Sequence, residues 1–313
     1  MRRALIVAVL LLAPAVLRAG DATPVETSST DATVDTSQSS SPSKLQLSYE
    51  LNGDTSYVGA ARTNYGLGHA GSVSEERTDL RGVLGLQEND GPIYRFGLEY
   101  QRYSFGFSKA APMPDVMEGE YAVVGVDFDL FNSWLVRVEA DPGFYDNGRD
   151  IGFRDFNVPF QIGGSYIASE TVQWALGLEV DINRQIPVIP AVGVRWALND
   201  QWVLDAILPT PRLEYEWSKS LTLYLGGDVD DGTYRMDRNF GTAVGKPKLA
   251  GAVVEYDEAR IGAGVSWKAI KGVTLELEGG YLPYREFDFH RANTHFSNDD
   301  GAAYGQMSLN AQF

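Results

Sequence analysis

The chain has 313 residues, 44% apolar and 12% aromatic, with 33 glycines, no cysteine and a formal charge of −16. This is too apolar for a disordered polymer, and the missing cysteines exclude disulfides, thiolate nucleophiles and cysteine-ligated metals. Acidic residues outnumber basic ones 42 to 26, which repels a phosphate backbone and argues against nucleic acid as a partner.

The N-terminus, MRRALIVAVLLLAPAVLRAG, runs from two arginines through an apolar stretch to small residues. This is a signal-peptide pattern over residues 1–19, and its apolar stretch from Ala4 to Leu17, interrupted by Pro14, is shorter than the ~20 residues of a membrane-spanning helix. Export then leaves a still more acidic chain, since three arginines are removed with the leader. Residues 20–43 are mostly Ser, Thr, Asp, Ala and Pro, which predicts a disordered tether that buries nothing.

From residue 44 onward the period is two. Leu45, Leu47, Tyr49 and Leu51 alternate with Gln46, Ser48 and Glu50, and Tyr94, Phe96, Leu98 and Tyr100 alternate with Arg95, Gly97 and Glu99. The same alternation covers 124–130, 134–140, 174–182 and 273–278, so strands are predicted throughout. Alternation alone fits a soluble sandwich as well as a membrane barrel. The tryptophans separate the two. Trp134, Trp174, Trp196, Trp202, Trp217 and Trp267 all fall on the apolar phase, each within a few residues of a short turn. Up-and-down strands bring alternate turns to one side, so these six form a predicted girdle at one membrane interface.

At the other ends the expected connections are long and hydrophilic, at 63–77, 106–118, 143–154 and 289–301. Sixteen candidate segments can be marked, 211–239 being the hardest to divide, which gives an even strand number between 12 and 16. The chain closes on GQMSLNAQF, with Met307, Leu309, Ala311 and Phe313 in alternation. This ending resembles the assembly signal of Gram-negative outer-membrane β-barrel proteins. It implies an all-β, antiparallel up-and-down transmembrane barrel over 44–313, with Phe313 presented to the barrel-assembly machinery and outer-membrane lipid around the wall. The segment PAVGVRWALNDQWVLDAILPTPRLEYEWSKSLTLYLGG is similar to a porin-like barrel family of uncharacterised function.

No catalytic group emerges, and no metal or cofactor is implied. Asp288 and His290 with Asp127 and Asp129 imitate the acid and histidine pairs of outer-membrane proteases, but strand arithmetic puts them ~25 Å apart at opposite ends. Two acidic stretches, 228–232 and 298–301, are expected to be solvated turns rather than calcium loops. The inward phase is more informative: it carries Asp127, Asp129, Glu139, Glu179, Asp181, Glu276 and Glu278 against fewer bases such as Arg137 and Arg195. Charges in a barrel are either solvated or paired, because unpaired burial costs several kcal/mol. Two readings follow. One is a wet lumen passing small hydrophilic solutes with a cation bias. The other is a salt-bridged, non-conducting barrel serving as a membrane anchor or surface-interaction module.

Overall fold

A computed structural model describes residues 45–65, 68–109, 111–131 and 133–313. The expected leader and tether lie outside the described residues.

The strands are β1 (Leu45–Tyr65), β2 (Gly68–Glu88), β3 (Ile93–Phe107), β4 (Val116–Leu130), β5 (Trp134–Ala140), β6 (Gly143–Asp146), β7 (Phe156–Asn157), β8 (Phe160–Ile167) and β9 (Val172–Val180). They continue with β10 (Val188–Ala197), β11 (Trp202–Asp205), β12 (Arg212–Ser218), β13 (Leu221–Arg235), β14 (Val253–Ile270), β15 (Val273–Phe289), β16 (Thr294–Asn298) and β17 (Ala302–Gln312). Strands that are neighbours in the wall pair antiparallel, and β1 pairs with both β2 and β17, so the sheet closes on itself.

Three positions in the wall are each shared by two segments: β5 with β6, β7 with β8, and β16 with β17. The wall therefore has fourteen strands. The first two breaks lie side by side at Pro142 and Pro159, each lacking the N–H a ladder requires, while their carbonyls still accept from Ala122 and Asp141.

Both described chain ends and the short turns share one end, here called the inner end. Phe313 exchanges both backbone hydrogen bonds with Tyr49, at 2.9 and 3.0 Å. The turn at Gly272 needs glycine: φ is +79°, and a Cβ would lie 2.3 Å from the Gln312 carbonyl oxygen.

Several expected connections are strand. β1 and β2 run to Tyr65 and Gly68, so 63–77 is mostly ladder, and β16 occupies much of 289–301. Residues 228–232 are also not a turn, because Asp228, Asp230 and Asp231 lie within β13, opposite Arg260, Glu258 and Asp257 of β14. Their Asp and Gly content suggested a loop, but two long neighbouring ladders override that local preference. The division within 211–239 resolves into β12 and β13.

The wall is uneven in height. β1 and β2 have 21 residues each and β14 has 18, whereas β8 to β12 have between 4 and 10. Above the short strands the ring contracts, and the top of β6 pairs parallel with the top of β13 through Asp146 and Arg235. The outer ring thus passes through nine segments, β13 to β16, β1 to β4 and β6. A ring of about eight strands is just wide enough for side chains to fill.

Candidate functional site: the barrel lumen

Side chains from strands that are not neighbours can meet only inside a closed barrel, so cross-barrel contacts mark the inner face. They form three levels.

At the inner end the lining is charged and partly open. Arg195 (β10) donates to Asp205 (β11) at 2.6 Å and to Glu214 (β12) at 3.5 Å. Arg212 (β12) reaches Glu276 (β15) at 3.0 Å and lies 4.1 Å from the Tyr224 ring centroid. Glu278 accepts a short hydrogen bond from Tyr304. Across the ring, Arg137 grips Asp127 through two 2.7 Å bonds and Arg95 grips Glu50 through bonds of 2.8 and 2.7 Å. Arg81 (β2) spans to Glu99 (β3) and Glu139 (β5) at 2.5 and 2.6 Å. Glu139 also accepts from Gln161. Such paired forks keep planar charge-assisted geometry, which suits arginine better than lysine.

The middle level is dry. Glu75 (β2) accepts from Arg260 (β14) at 2.9 Å, Arg285 (β15) at 3.1 Å and the Tyr256 hydroxyl at 2.6 Å, and all four residues are buried. Glu258 adds a second carboxylate to Arg260 at 2.5 Å. Beside them Arg77 reaches Asp230 across the lumen at 2.6 Å, Tyr103 donates to the same carboxylate, and Tyr234 donates to Gln101 at 2.6 Å.

The outer level is a hydrophobic core. Tyr103, Phe105, Tyr256, Phe287, Phe289 and Phe296 are buried and packed edge-to-face or tilted, with Met113, Met117 and Met236 filling between them. The β13–β14 connection, residues 236–252, folds into the mouth. Its short helix α1 (Phe240–Ala243) sets Phe240 against Phe289, and Leu249 is fully buried. Lys248 Nζ donates to the Ala292 and Asn293 carbonyls, and Asn147 exchanges hydrogen bonds with Asp237 at 3.0 and 3.1 Å. Burial raises the Asp237 carboxyl, but the Asn147 amide and the Asn239 and Phe240 N–H groups outweigh it and hold the group below its ordinary value.

The expected lining residues are dispersed over separate clusters rather than brought together at one site. Asp127, Glu139, Glu179 and Asp181 are buried; Glu179 is engaged by Arg184 and Asp181 by Asn157 and Thr233. Asp129 is exposed near the β4–β5 turn. Sequence reasoning passed over Glu75, Glu258 and Arg285 and the inward aromatics, although their strict alternation from Glu75 to Val83 and from Tyr256 to Arg260 carried the signal. Asp288 and Asp127 lie on strands separated by four others, and Asp127 is held by Arg137, so the protease-like constellation does not assemble. Asp300 is engaged by Arg62, whose side chain and backbone N–H donate at 2.8 and 2.7 Å. Among the described residues no three acidic or histidine side chains converge as metal ligands.

The six tryptophans lie close to the inner-end turns, and five of them are exposed. Trp134 packs at a tilt against Tyr166 and Trp202 against Tyr215, with centroids 5.2 and 4.9 Å apart. Above them the outer wall exposes Leu51, Phe96, Leu98, Leu176, Leu225 and Leu277.

A family model described as a domain of unknown function (DUF6268) matches residues 128–312, more than half of the chain. The chain belongs to this family. Its fold is the closed antiparallel barrel of outer-membrane proteins. No curated protein matches it. Among solved structures it is similar to a TodX deletion mutant described as a monoaromatic hydrocarbon channel, at 8% identity, covering 85% of this chain and 90% of that one with a TM-score of 0.47. An outer membrane channel from Pseudomonas putida F1 aligns at 11% identity over 90% of this chain and 100% of that one, TM-score 0.45. The NanC porin aligns at 11% identity over 83% and 98%, TM-score 0.40.

Proposed function

We propose that this protein is an outer-membrane channel for small hydrophilic solutes, closed at its outer end in the conformation described here. The observation that carries the reading is the division of the lumen into a charged inner vestibule and a dry outer closure. In the vestibule Asp205, Glu214, Glu216, Glu276 and Glu278 face Arg195 and Arg212, an acidic excess that favours cations at the inner mouth. The girdle tryptophans hold the inner boundary, and Phe313 presents the terminal strand for assembly. The reading is non-enzymatic, and among the described residues no acid, histidine and nucleophile are brought together for covalent chemistry.

Planar-bilayer recording tests it. The wild type is expected to be silent or to open briefly, whereas Tyr103→Ala combined with Tyr256→Ala and Phe287→Ala conducts steadily, with cations preferred. Steady wild-type conductance would remove the outer closure. A folded, heat-modifiable triple variant that stays silent favours the second reading, a non-conducting anchor, which the buried ion pairs at Glu75 and Glu139 support.

A further inference from the structure

The loops on the low side of the wall are inverted in polarity. In residues 151–158 the exposed side chains are Ile151, Phe153, Phe156 and Val158, while Asp155 and Asn157 are buried. In residues 181–188 Ile182, Ile186, Pro187 and Val188 are exposed, with Gln185 the one polar residue among them, while Asp181 and Arg184 are buried. Phe153 is 85% exposed and Ile182 73%, whereas Asp181 and Arg184 are 3% and 4% exposed. A loop in water does the opposite, because exposed apolar area costs ~25 cal/mol per Å² and buried charge costs more.

Most of the polar side chains facing inward find partners, although Arg184 Nε donates no hydrogen bond and Asp155 Oδ1 accepts none. Asn157 donates to Asp181 at 2.9 Å, and Thr233 of β13 donates to the same carboxylate at 2.6 Å. Arg184 bridges Glu179 of β9 and Asp231 of β13 at 3.1 and 2.7 Å, spanning the space above β10 to β12. The N–H groups of Gly152, Asp155, Asp181, Asn183, Arg184 and Gln185 and the buried charges of Asp181 and Arg184 are thus engaged from within, as non-helical chain at membrane depth requires.

Height gives the reason. An apolar band is ~25 Å tall, and strands tilted ~40° climb ~2.5 Å per residue. Between Leu45 and Tyr57 the exposed apolar residues of β1 climb ~30 Å and cover the band. From Trp174 to Val180, β9 climbs only ~15 Å. The 181–187 loop continues upward from there, and the Gln185 N–H reaches Glu255 of β14 at 2.9 Å, twelve residues above Trp267 in the ladder and so at the top of the band.

We propose that residues 151–158 and 181–188 form a lipid-facing surface that completes the apolar band over the low wall, its occupant being acyl chains of the outer leaflet. This rests on the barrel standing in a membrane, and the control below separates the two ideas.

The chain has no cysteine, so single-cysteine probes need no background removal. Phe153→Cys, Ile182→Cys and Ile186→Cys are labelled with an environment-sensitive fluorophore in heat-modifiable protein reconstituted into phosphatidylcholine vesicles. Leu98→Cys on the wall and His69→Cys at the exposed hairpin tip are the references. Doxyl-lipid quenching at 153, 182 and 186 is expected to match Leu98 and to exceed His69 at least threefold, with iodide giving the reverse order. If iodide quenches these labels as it does His69, the loops stand in water and the inference fails. If they are shielded from both quenchers and cross-link between copies, a second chain covers the surface and the inference also fails. If Leu98 itself escapes the lipid quencher, membrane placement fails first.

Discussion

Replacing Glu75 with glutamine is the most direct test of the dry middle lumen. Glu75 accepts from two arginines and a tyrosine, and Arg260 and Arg285 are as buried as it is. Glutamine keeps the shape but removes the charge and turns a donor towards a guanidinium. Arg260 retains Glu258 as a direct partner, whereas Arg285 is left hydrogen-bonded to the Val73 carbonyl at 3.3 Å with Glu258 at longer range. Breaking one partner of a buried ion pair costs ~3–5 kcal/mol, because the stranded charge keeps its desolvation penalty. The unfolding equilibrium should shift by more than about a hundredfold. Urea unfolding of the reconstituted barrel, followed by tryptophan fluorescence and gel mobility, reads the change. A cycle with Arg285→Gln should return a coupling of ~1–3 kcal/mol. The solvent-exposed Arg62–Asp300 pair is the control, and Asp300→Asn should leave the midpoint unchanged. A loss below ~1 kcal/mol for Glu75→Gln would mean that water reaches these charges, and the closure would not be dry.

Asp237 gives a pH prediction. Its folded pKa is depressed, so its contribution is present above the unfolded carboxylate value near ~3.9 and is lost as pH falls through the lower folded value. Protease nicking within 238–250 should therefore rise in acid, and Asp237→Asn should be nicked faster at neutral pH and lose most of that dependence; an unaltered profile refutes the Asn147–Asp237 latch. Gly280→Ala should destabilise by ~1–3 kcal/mol in urea, because its Cβ would lie 2.2 Å from the Ile261 carbonyl beside a bulge; an unchanged midpoint would show that the bulge can give. Deleting Phe313 should lower the amount of heat-modifiable barrel while leaving export intact. Brominated lipids should quench all six tryptophans from one interface, and quenching of several from the bilayer centre would overturn the girdle.

The barrel was legible because its signals are local. A two-residue period needs only neighbouring residues, and Trp196 and Trp202 flank one turn in sequence and are both exposed beside it, two rungs out of register. The same period set Asp127, Arg137 and Glu139 on one phase, and the structure joins Arg137 to Asp127 and Arg81 to Glu139. Partnership was not. Arg77 meets Asp230 and Glu75 meets Arg260 across more than 150 positions, pairings fixed by closure and stagger that no single strand encodes. Residues 143–154 looked hydrophilic because Asp146, Asn147, Arg149 and Asp150 dominate that window. Only at Gly148, Arg149 and Asp150 does polarity face out; Asp146 and Asn147 are buried, and the apolar residues that follow are turned outward.

Strand length links the closure to the inverted loops. Two adjacent prolines interrupt β5–β6 and β7–β8, and β11 has only four residues. Where those strands end, the fourteen-stranded ring cannot continue upward, and β6 meets β13 directly. A ring reduced to nine segments draws its inward side chains together, so aromatics there pack into a core and charges there must pair. The same contraction leaves a recess on the outside, above β8 to β12. The 181–187 loop fills it, buries Arg184 against Asp231 and turns Ile182 outward. Closure of the lumen and apolar loops on the wall therefore share one geometric cause. Any opening that widened the outer ring would have to part β6 from β13, breaking the Asn147–Asp237 and Arg184–Asp231 contacts that lock this seam.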